Sequence, residues 1–93
     1  MSLFVLTCID KPNALETRMA AREAHLAYVR GSNVVKLGGP FLDEAGGMAG
    51  SMLIIEADDL VQAKAFSDAD PYAKAGLFQN VDIRPFKVTL GSL

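Results

Sequence analysis

Residues 2–9, SLFVLTCI, decide the fold, because a strand formed by this stretch is apolar on both faces. Successive side chains of a strand point to opposite faces of the sheet. One face carries Leu3, Val5, Thr7 and Ile9, and the other carries Phe4, Leu6 and Cys8. Residues 51–57, SMLIIEA, repeat this two-sided apolar pattern. Such a pattern is typical of strands that are covered on both sides, so we expect both segments to be central strands.

The segment after the first strand is predicted to form a long helix over residues 14–30. Asn13 is the expected N-cap, and Glu16 three residues later completes a capping box. Gly31 is expected just after the helix, where a left-handed residue commonly ends the helical hydrogen bonding.

Two further helical segments are predicted after the segment 51–57. The paired aspartates at positions 58 and 59 place carboxylates at the positive end of a helix that runs to about Ser67. Asp70 is an expected N-cap for one more helical turn over residues 70–75, with Pro71 at its first position. Gly76 is expected to end this turn.

Two segments with interrupted apolar patterns are predicted to be edge strands. Residues 34–41, VVKLGGPF, contain two glycines and Pro40, which suit an edge strand or a bulge. The glycine-rich residues after them are expected to form a flexible hairpin. Over residues 80–90 the apolar side chains change parity, which predicts a bulge at Arg84-Pro85 and again an edge position.

The predicted order of elements is therefore β, α, β, β, α, β. Right-handed crossovers turn this order into an α+β, ferredoxin-like fold, in which both helices cover one face of a four-stranded antiparallel sheet. The other face, apolar on its central strands, then needs cover. We expect a homodimer in which two open sheet faces pack against each other as an α+β barrel.

The composition sets the class of protein and excludes several kinds of partner. The 93 residues, 51% hydrophobic and 22% charged, suit a single domain over residues 1–93. A net charge of −2 argues against a nucleic-acid partner. No basic segment or long apolar run begins the chain, so we expect no membrane partner and a cytoplasmic location. Cys8, the single cysteine, is expected to be a buried thiol.

The candidate chemistry lies on the first helix, in residues 18–29, RMAAREAHLAYV. The apolar stripe expected to anchor this helix consists of Leu15, Met19, Leu26 and Val29. Arg22 falls inside the stripe and therefore needs a carboxylate, backbone carbonyls or an anionic ligand. Arg18 and His25 lie on its flank. His25 is the first candidate for a general acid or base, and a purely structural histidine is the alternative.

Several other residues have both a structural and a functional interpretation. The turn that holds Asp70 follows the second helix back toward the first, so its carboxylate could cap the turn and also reach His25. Ser51 could supply a hydroxyl to a pocket or simply begin a strand. Tyr28 and Tyr72 are expected to be packing residues. One histidine and one cysteine on separate elements indicate no metal site, and the chemistry considered requires no organic cofactor.

Six pieces of the sequence are specific when they are taken together. They are the first strand, the R-x-x-x-R-x-x-H-L spacing of Arg18, Arg22, His25 and Leu26, Gly39-Pro40, Gly50-Ser51, the segment DPYAKAG at 70–76, and Pro85-Phe86. With these pieces the sequence resembles, over nearly its whole length, the YCII-related family of small dimeric α+β barrel proteins, the YciI-like proteins.

The resemblance implies a dimer with a pocket in which His25 and Asp70 form an acid–base dyad. The substrate-binding candidates are Arg22, Ser51, Arg18 and Pro40. Some members of the family act as dehydrochlorinases on chlorinated aromatic breakdown products, and some are similar to muconolactone-isomerase-type barrels. Our first hypothesis is therefore a lyase or isomerase that acts on a small anionic organic ligand. The alternative is a non-catalytic module for ligand binding or assembly.

Overall fold

A computed structural model describes residues 2–93 and contains a four-stranded sheet. The elements are β1 (Ser2–Asp10), α1 (Leu15–Ser32), β2 (Val35–Leu42), β3 (Met48–Ala57), α2 (Leu60–Asp68), α3 (Pro71–Lys74) and β4 (Phe78–Phe86). The strand order is β2-β3-β1-β4, and every neighbouring pair is antiparallel. This confirms the predicted ferredoxin-like α+β fold, with both two-sided apolar segments as central strands. Among residues 2–93, no helix is long and apolar enough to span a membrane.

The buried core lies between the sheet and the helices. Its members are Phe4, Leu6, Cys8, Leu53, Ile55, Ala57 and Ala63. The β1 and β3 members each alternate along their strand, so they share one face of the sheet. Val29 of α1 and Phe66 of α2 pack against this cluster. Both long helices therefore cover the same face, as the pattern predicts.

The opposite side of the sheet, which we call the open face, keeps apolar side chains exposed. Val5 pairs with Ile54, and Ile54 pairs with Leu37, so these three side chains form one row across the sheet. Leu37 is 50% exposed, and Phe86 on β4 is 44% exposed. The open face is thus the surface for which the sequence predicts a second subunit.

The structure of β4 differs from the prediction. The strand was expected over residues 80–90 with a bulge at Arg84-Pro85, but both residues pair regularly with β1 and the strand ends at Phe86. The register shift lies at the other end of the strand pair, at Asp10. The apolar parity changes because Val81 and Ile83 lie opposite core residues of β1, whereas Phe86 lies opposite Leu3 on the other face of the sheet. The strand ends there, so the later apolar residues of the predicted segment are outside it.

The register shifts of the edge strand β2 also lie at other residues than the sequence suggests. Its register against β3 shifts between Val35 and Leu37 and again between Phe41 and Leu42, while residues 38–40 pair regularly. The edge position is therefore correct, but a bulge within 38–40 is wrong. The middle of β2 therefore pairs with β3 without interruption.

Both predicted ends of α1 are wrong. Asn13 has a φ of 56°, a left-handed conformation that asparagine tolerates, and Ala14 is the N-cap without a side-chain hydrogen bond. The predicted capping box is therefore not formed. At the other end, the helix continues through Gly31 to Ser32, and Asn33 ends it with a φ of 60°.

Candidate functional site

Helix α1 supplies two buried polar side chains. Arg18 is 2% exposed and His25 is 7% exposed, and seven residues, about two turns, place them on the same side of the helix. Arg22, which the sequence placed inside the buried stripe, is exposed. Two apolar members of that stripe, Leu15 and Met19, are also 51% and 50% exposed. The predicted stripe is wrong in this respect, because the buried side of α1 centres on the two polar residues.

The Arg18 guanidinium is held by groups from two strands. Its Nε donates to Oδ2 of Asp10 at 2.8 Å, and its Nη2 donates to Oδ1 of Asp10 at 3.0 Å and to Oγ of Ser51 at 2.8 Å. Burial disfavours the charged guanidinium, but the hydrogen bonds and the charge of Asp10 raise the pKa of Arg18 above its ordinary value. Because Ser51 accepts from Arg18, its own hydroxyl hydrogen is left to donate to another group.

The carboxylate of Asp70 holds the imidazole of His25. His25 Nδ1 lies 2.9 Å from each oxygen of this carboxylate. The same Asp70 accepts the backbone N–H of Tyr72 at 2.8 Å and so caps α3, with Pro71 at the first turn, as predicted. Nδ1 is thus committed to Asp70. Among the protein groups of residues 2–93, none forms a hydrogen bond with Nε2 of His25.

Tyr72 was predicted to be only a packing residue, but it contacts two polar side chains of the site. Its ring stacks on the imidazole of His25 with 3.9 Å between centroids and an angle of 13° between planes. The Arg18 Cζ lies 4.6 Å from the Tyr72 ring centroid. Burial raises the pKa of Tyr72, although the charges of Arg18 and Arg22 act in the opposite direction. Tyr72 therefore restrains both buried polar side chains of α1 while its hydroxyl stays protonated.

These groups surround a cavity of about 70 Å³. Five of the candidate residues line it, namely Arg18, Arg22, His25, Pro40 and Ser51, and Tyr72 lines it with them. Asp70 lies behind the imidazole and is 4% exposed. The structure thus brings the candidates to one place, with the carboxylate acting on the cavity through His25.

The sequence reasoning missed Asp10 as well as the stacking of Tyr72. Asp10 ends β1 and was treated only as a boundary of the strand. Its parity matches that of Leu6 and Cys8, so it points to the side covered by helices, where a carboxylate needs a partner. That parity was the available signal. No comparable local signal distinguished Tyr72 from an ordinary core aromatic.

The arrangement suits proton transfer beside an oxygen that gains negative charge. Nε2 of His25 can accept or return a proton. The Ser51 hydroxyl can donate to a neighbouring oxygen, and Arg22 adds a positive charge at the same cavity. A base, a donor and a cation therefore converge on one small volume.

The Cys8 thiol is expected to be unreactive in the folded protein. Burial raises its pKa to about 12, and the charges of Asp70 and Asp10 contribute to the rise. Because this pKa lies above the ordinary value, the reactive thiolate forms only in strongly alkaline solution. We expect a thiol-disulfide reagent to label the native protein very slowly at neutral pH and to label one thiol per chain in guanidinium chloride. Equal rates in the two conditions would contradict the buried position.

Comparisons of sequence place this chain among known proteins. A family model, the YCII-related domain, matches residues 2–87. Protein YciI of Escherichia coli is 37% identical over 94 residues, which cover 91% of this chain and 96% of that protein. An uncharacterized protein of Haemophilus influenzae is 36% identical over 93 residues, covering 90% of this chain and 95% of the other.

A comparison of structures agrees with the sequence matches. The 5-chloro-2-hydroxyhydroquinone dehydrochlorinase TftG from Burkholderia phenoliruptrix, solved in complex with 2,5-dihydroxybenzoquinone, is 34% identical, with a TM-score of 0.84. The match covers 91% of this chain and 93% of that one. A crystal structure of an antibiotic biosynthesis monooxygenase, 11% identical with a TM-score of 0.60, shares the fold.

Proposed function

The chain belongs to the YCII-related domain family, and on this premise we propose that it is a small-molecule enzyme of the lyase or isomerase type. His25 and Asp70 form its acid–base dyad. The observation that carries the proposal is the contact of His25 Nδ1 with both Asp70 oxygens at 2.9 Å, which leaves Nε2 for the cavity. A dehydrochlorinase with 34% identity adds support.

The proton-transfer step follows from this contact. The Asp70 carboxylate accepts the Nδ1 hydrogen, so the neutral imidazole presents an Nε2 lone pair that removes a proton from the substrate. The negative charge of Asp70 then stabilises the imidazolium that forms. In a dehydrochlorination, the electron pair left by the proton expels chloride from a neighbouring carbon. In an isomerisation, the imidazolium returns the proton to a different carbon.

The remaining candidates stabilise negative charge and orient the ligand. The Ser51 hydroxyl donates to the oxygen on which charge accumulates, and Arg18 holds Ser51 in place at 2.8 Å. Arg22 attracts an anionic substrate, since no carboxylate within residues 2–93 lies at salt-bridge distance from it. Pro40 forms a rigid wall of the same cavity.

Two reactions test the proposed function. Chloride release from 5-chloro-2-hydroxyhydroquinone tests the lyase activity, and conversion of muconolactone tests the isomerase activity. In the reaction that the wild type catalyses, His25→Ala should lower the rate by about 10²–10⁴-fold, because a general base is removed. Glu23→Ala, an exposed change on the same helix, is the matched control and should retain the rate. Equal rates in His25→Ala and wild type would contradict the dyad.

The second candidate function is a non-catalytic module for ligand binding or assembly. One observation favours it: among the described residues, every fully buried side-chain nitrogen and oxygen has a hydrogen-bond partner. A polar cluster that is satisfied internally can serve stability alone. Binding of the test compounds without turnover, in wild type and His25→Ala alike, would support this function over the enzyme.

We further propose that the protein is a homodimer joined through the open face. A patch of exposed apolar residues often marks a subunit interface, and obligate interfaces are especially apolar. Leu37→Glu should convert the dimer into a monomer in analytical ultracentrifugation, because it places a charge in the apolar row. Val61→Glu is the control, since Val61 is 78% exposed on α2. A monomeric wild type would rule out the dimer.

A further inference from the structure

The cavity beside His25 is too small for a ring-sized ligand. It measures about 70 Å³, whereas an apolar cavity that binds benzene measures about 150 Å³. The substrates considered above for the proposed function, on which this inference rests, are rings. A ring can be enclosed beside Nε2 only if the cavity gains room from a neighbouring space.

A larger cleft lies next to this cavity. It measures about 420 Å³ and runs between the β1–α1 connection and the β2–β3 hairpin. Ile9, Pro12 and Leu15 give it an apolar lining, and Lys11 and Asp43 add one charge of each sign. Met48 lines both the cleft and the cavity, and it is the one residue common to the two linings.

The partition between the two spaces has a fixed part and a movable part. The fixed part is the ion pair in which Arg18, on the cavity side, binds Asp10, on the cleft side, through two hydrogen bonds. The movable part is Met48, which is half-buried at the first residue of β3, beside the register shift at Leu42. Methionine has three rotatable bonds and no branch, so it changes rotamer at low cost.

We propose that Met48 sets the size of the substrate. When its side chain turns away, the cavity and the cleft become one continuous site. The hydroxylated ring of the substrate then lies against His25, and an apolar substituent on that ring extends into the cleft along Pro12 and Leu15. The chemical class is taken from the similar dehydrochlorinase, which was solved with 2,5-dihydroxybenzoquinone. It is a hydroxylated quinone or hydroquinone, with the substituent limited by Met48.

Binding measurements on two variants test this proposal. The probes are 2,5-dihydroxybenzoquinone, as the ring, and acetate, as a ligand small enough for the closed cavity. Met48→Ala should bind the ring at least 10-fold more tightly than the wild type. Met48→Ile should bind it at least 10-fold more weakly, because a β-branched side chain keeps the wall but has restricted χ1 rotation. Acetate binding should stay within twofold in both variants.

The control is Met19→Ala, an exposed methionine of α1 that lies outside both linings. It should leave the ratio of ring to acetate affinity unchanged. The proposal is overturned if Met19→Ala changes this ratio as much as Met48→Ala does, or if the ratio is equal in all variants. It is also overturned if neither the wild type nor Met48→Ala binds the ring. The rate in His25→Ala tests the proposed function separately, because that variant leaves Met48 in place.

Discussion

Replacing Arg18 by methionine should lower the free energy of unfolding by about 3–5 kcal/mol, because it leaves the carboxylate of Asp10 buried without its cation. Asp10 is 9% exposed, and both of its oxygens accept from Arg18. The same change removes the hydrogen bond that holds Ser51 and the cation beside Tyr72. Urea unfolding of wild type and variant measures the loss.

Arg22→Met is the matched control for this prediction. Arg22 is on the same helix but exposed, so its replacement should change the free energy of unfolding by no more than about 0.5 kcal/mol. A second variant that combines Asp10→Asn with Arg18→Met should regain part of the loss, since it removes the unpaired charge. Equal losses in Arg18→Met and Arg22→Met would show that the buried pair contributes nothing special to stability.

Asp70→Asn should lower kcat by about 10²–10⁴-fold and leave the protein folded. The asparagine amide can donate to Nδ1, which would then carry no hydrogen, and the tautomer with a free Nε2 lone pair would be lost. Asparagine caps a helix about as well as aspartate, so α3 should still form. The free energy of unfolding should fall by less than about 1.5 kcal/mol, the range of one hydrogen bond.

The chain offers a second capping aspartate as the control. Asp59 caps α2 by accepting the backbone N–H of Gln62 at 2.8 Å, and it lies outside the lining of the cavity. Asp59→Asn should therefore leave kcat unchanged within twofold. If Asp70→Asn kept full activity, or if both exchanges lowered kcat equally, the role assigned to Asp70 in the proton transfer would be wrong.

The central strands and the cap at Asp70 follow from local rules, and both are confirmed. The two-sided apolar patterns predict that residues 2–9 and 51–57 form the central strands, and the strand order β2-β3-β1-β4 places both there. Aspartate before proline fixes the start of α3, because the proline lacks the N–H that a helix start leaves free.

The choice between Arg18 and Arg22 could not be made from helical periodicity. The two residues are four positions apart and share a stripe within about 40°. Arg18 can be buried because the carboxylate of Asp10, at the end of β1, accepts two hydrogen bonds from its guanidinium. This contact depends on how the helix sits against the sheet, which the spacing of apolar residues does not encode. The stacking of Tyr72 on His25 depends on the same placement.

The cavity is built from two parts of the chain that contribute different things. His25, Asp70 and the stacked tyrosine come from α1 and the α3 turn, whereas Pro40 and Met48 come from the β2–β3 hairpin. The tip of this hairpin is exposed, and β2 is an edge strand, so changes there disturb little of the core. Substitutions in residues 39–49 therefore can reshape the cavity for other ligands and leave the His25–Asp70 contact intact, whereas Gly38 must stay a glycine because a Cβ there would clash with Leu53 of the core.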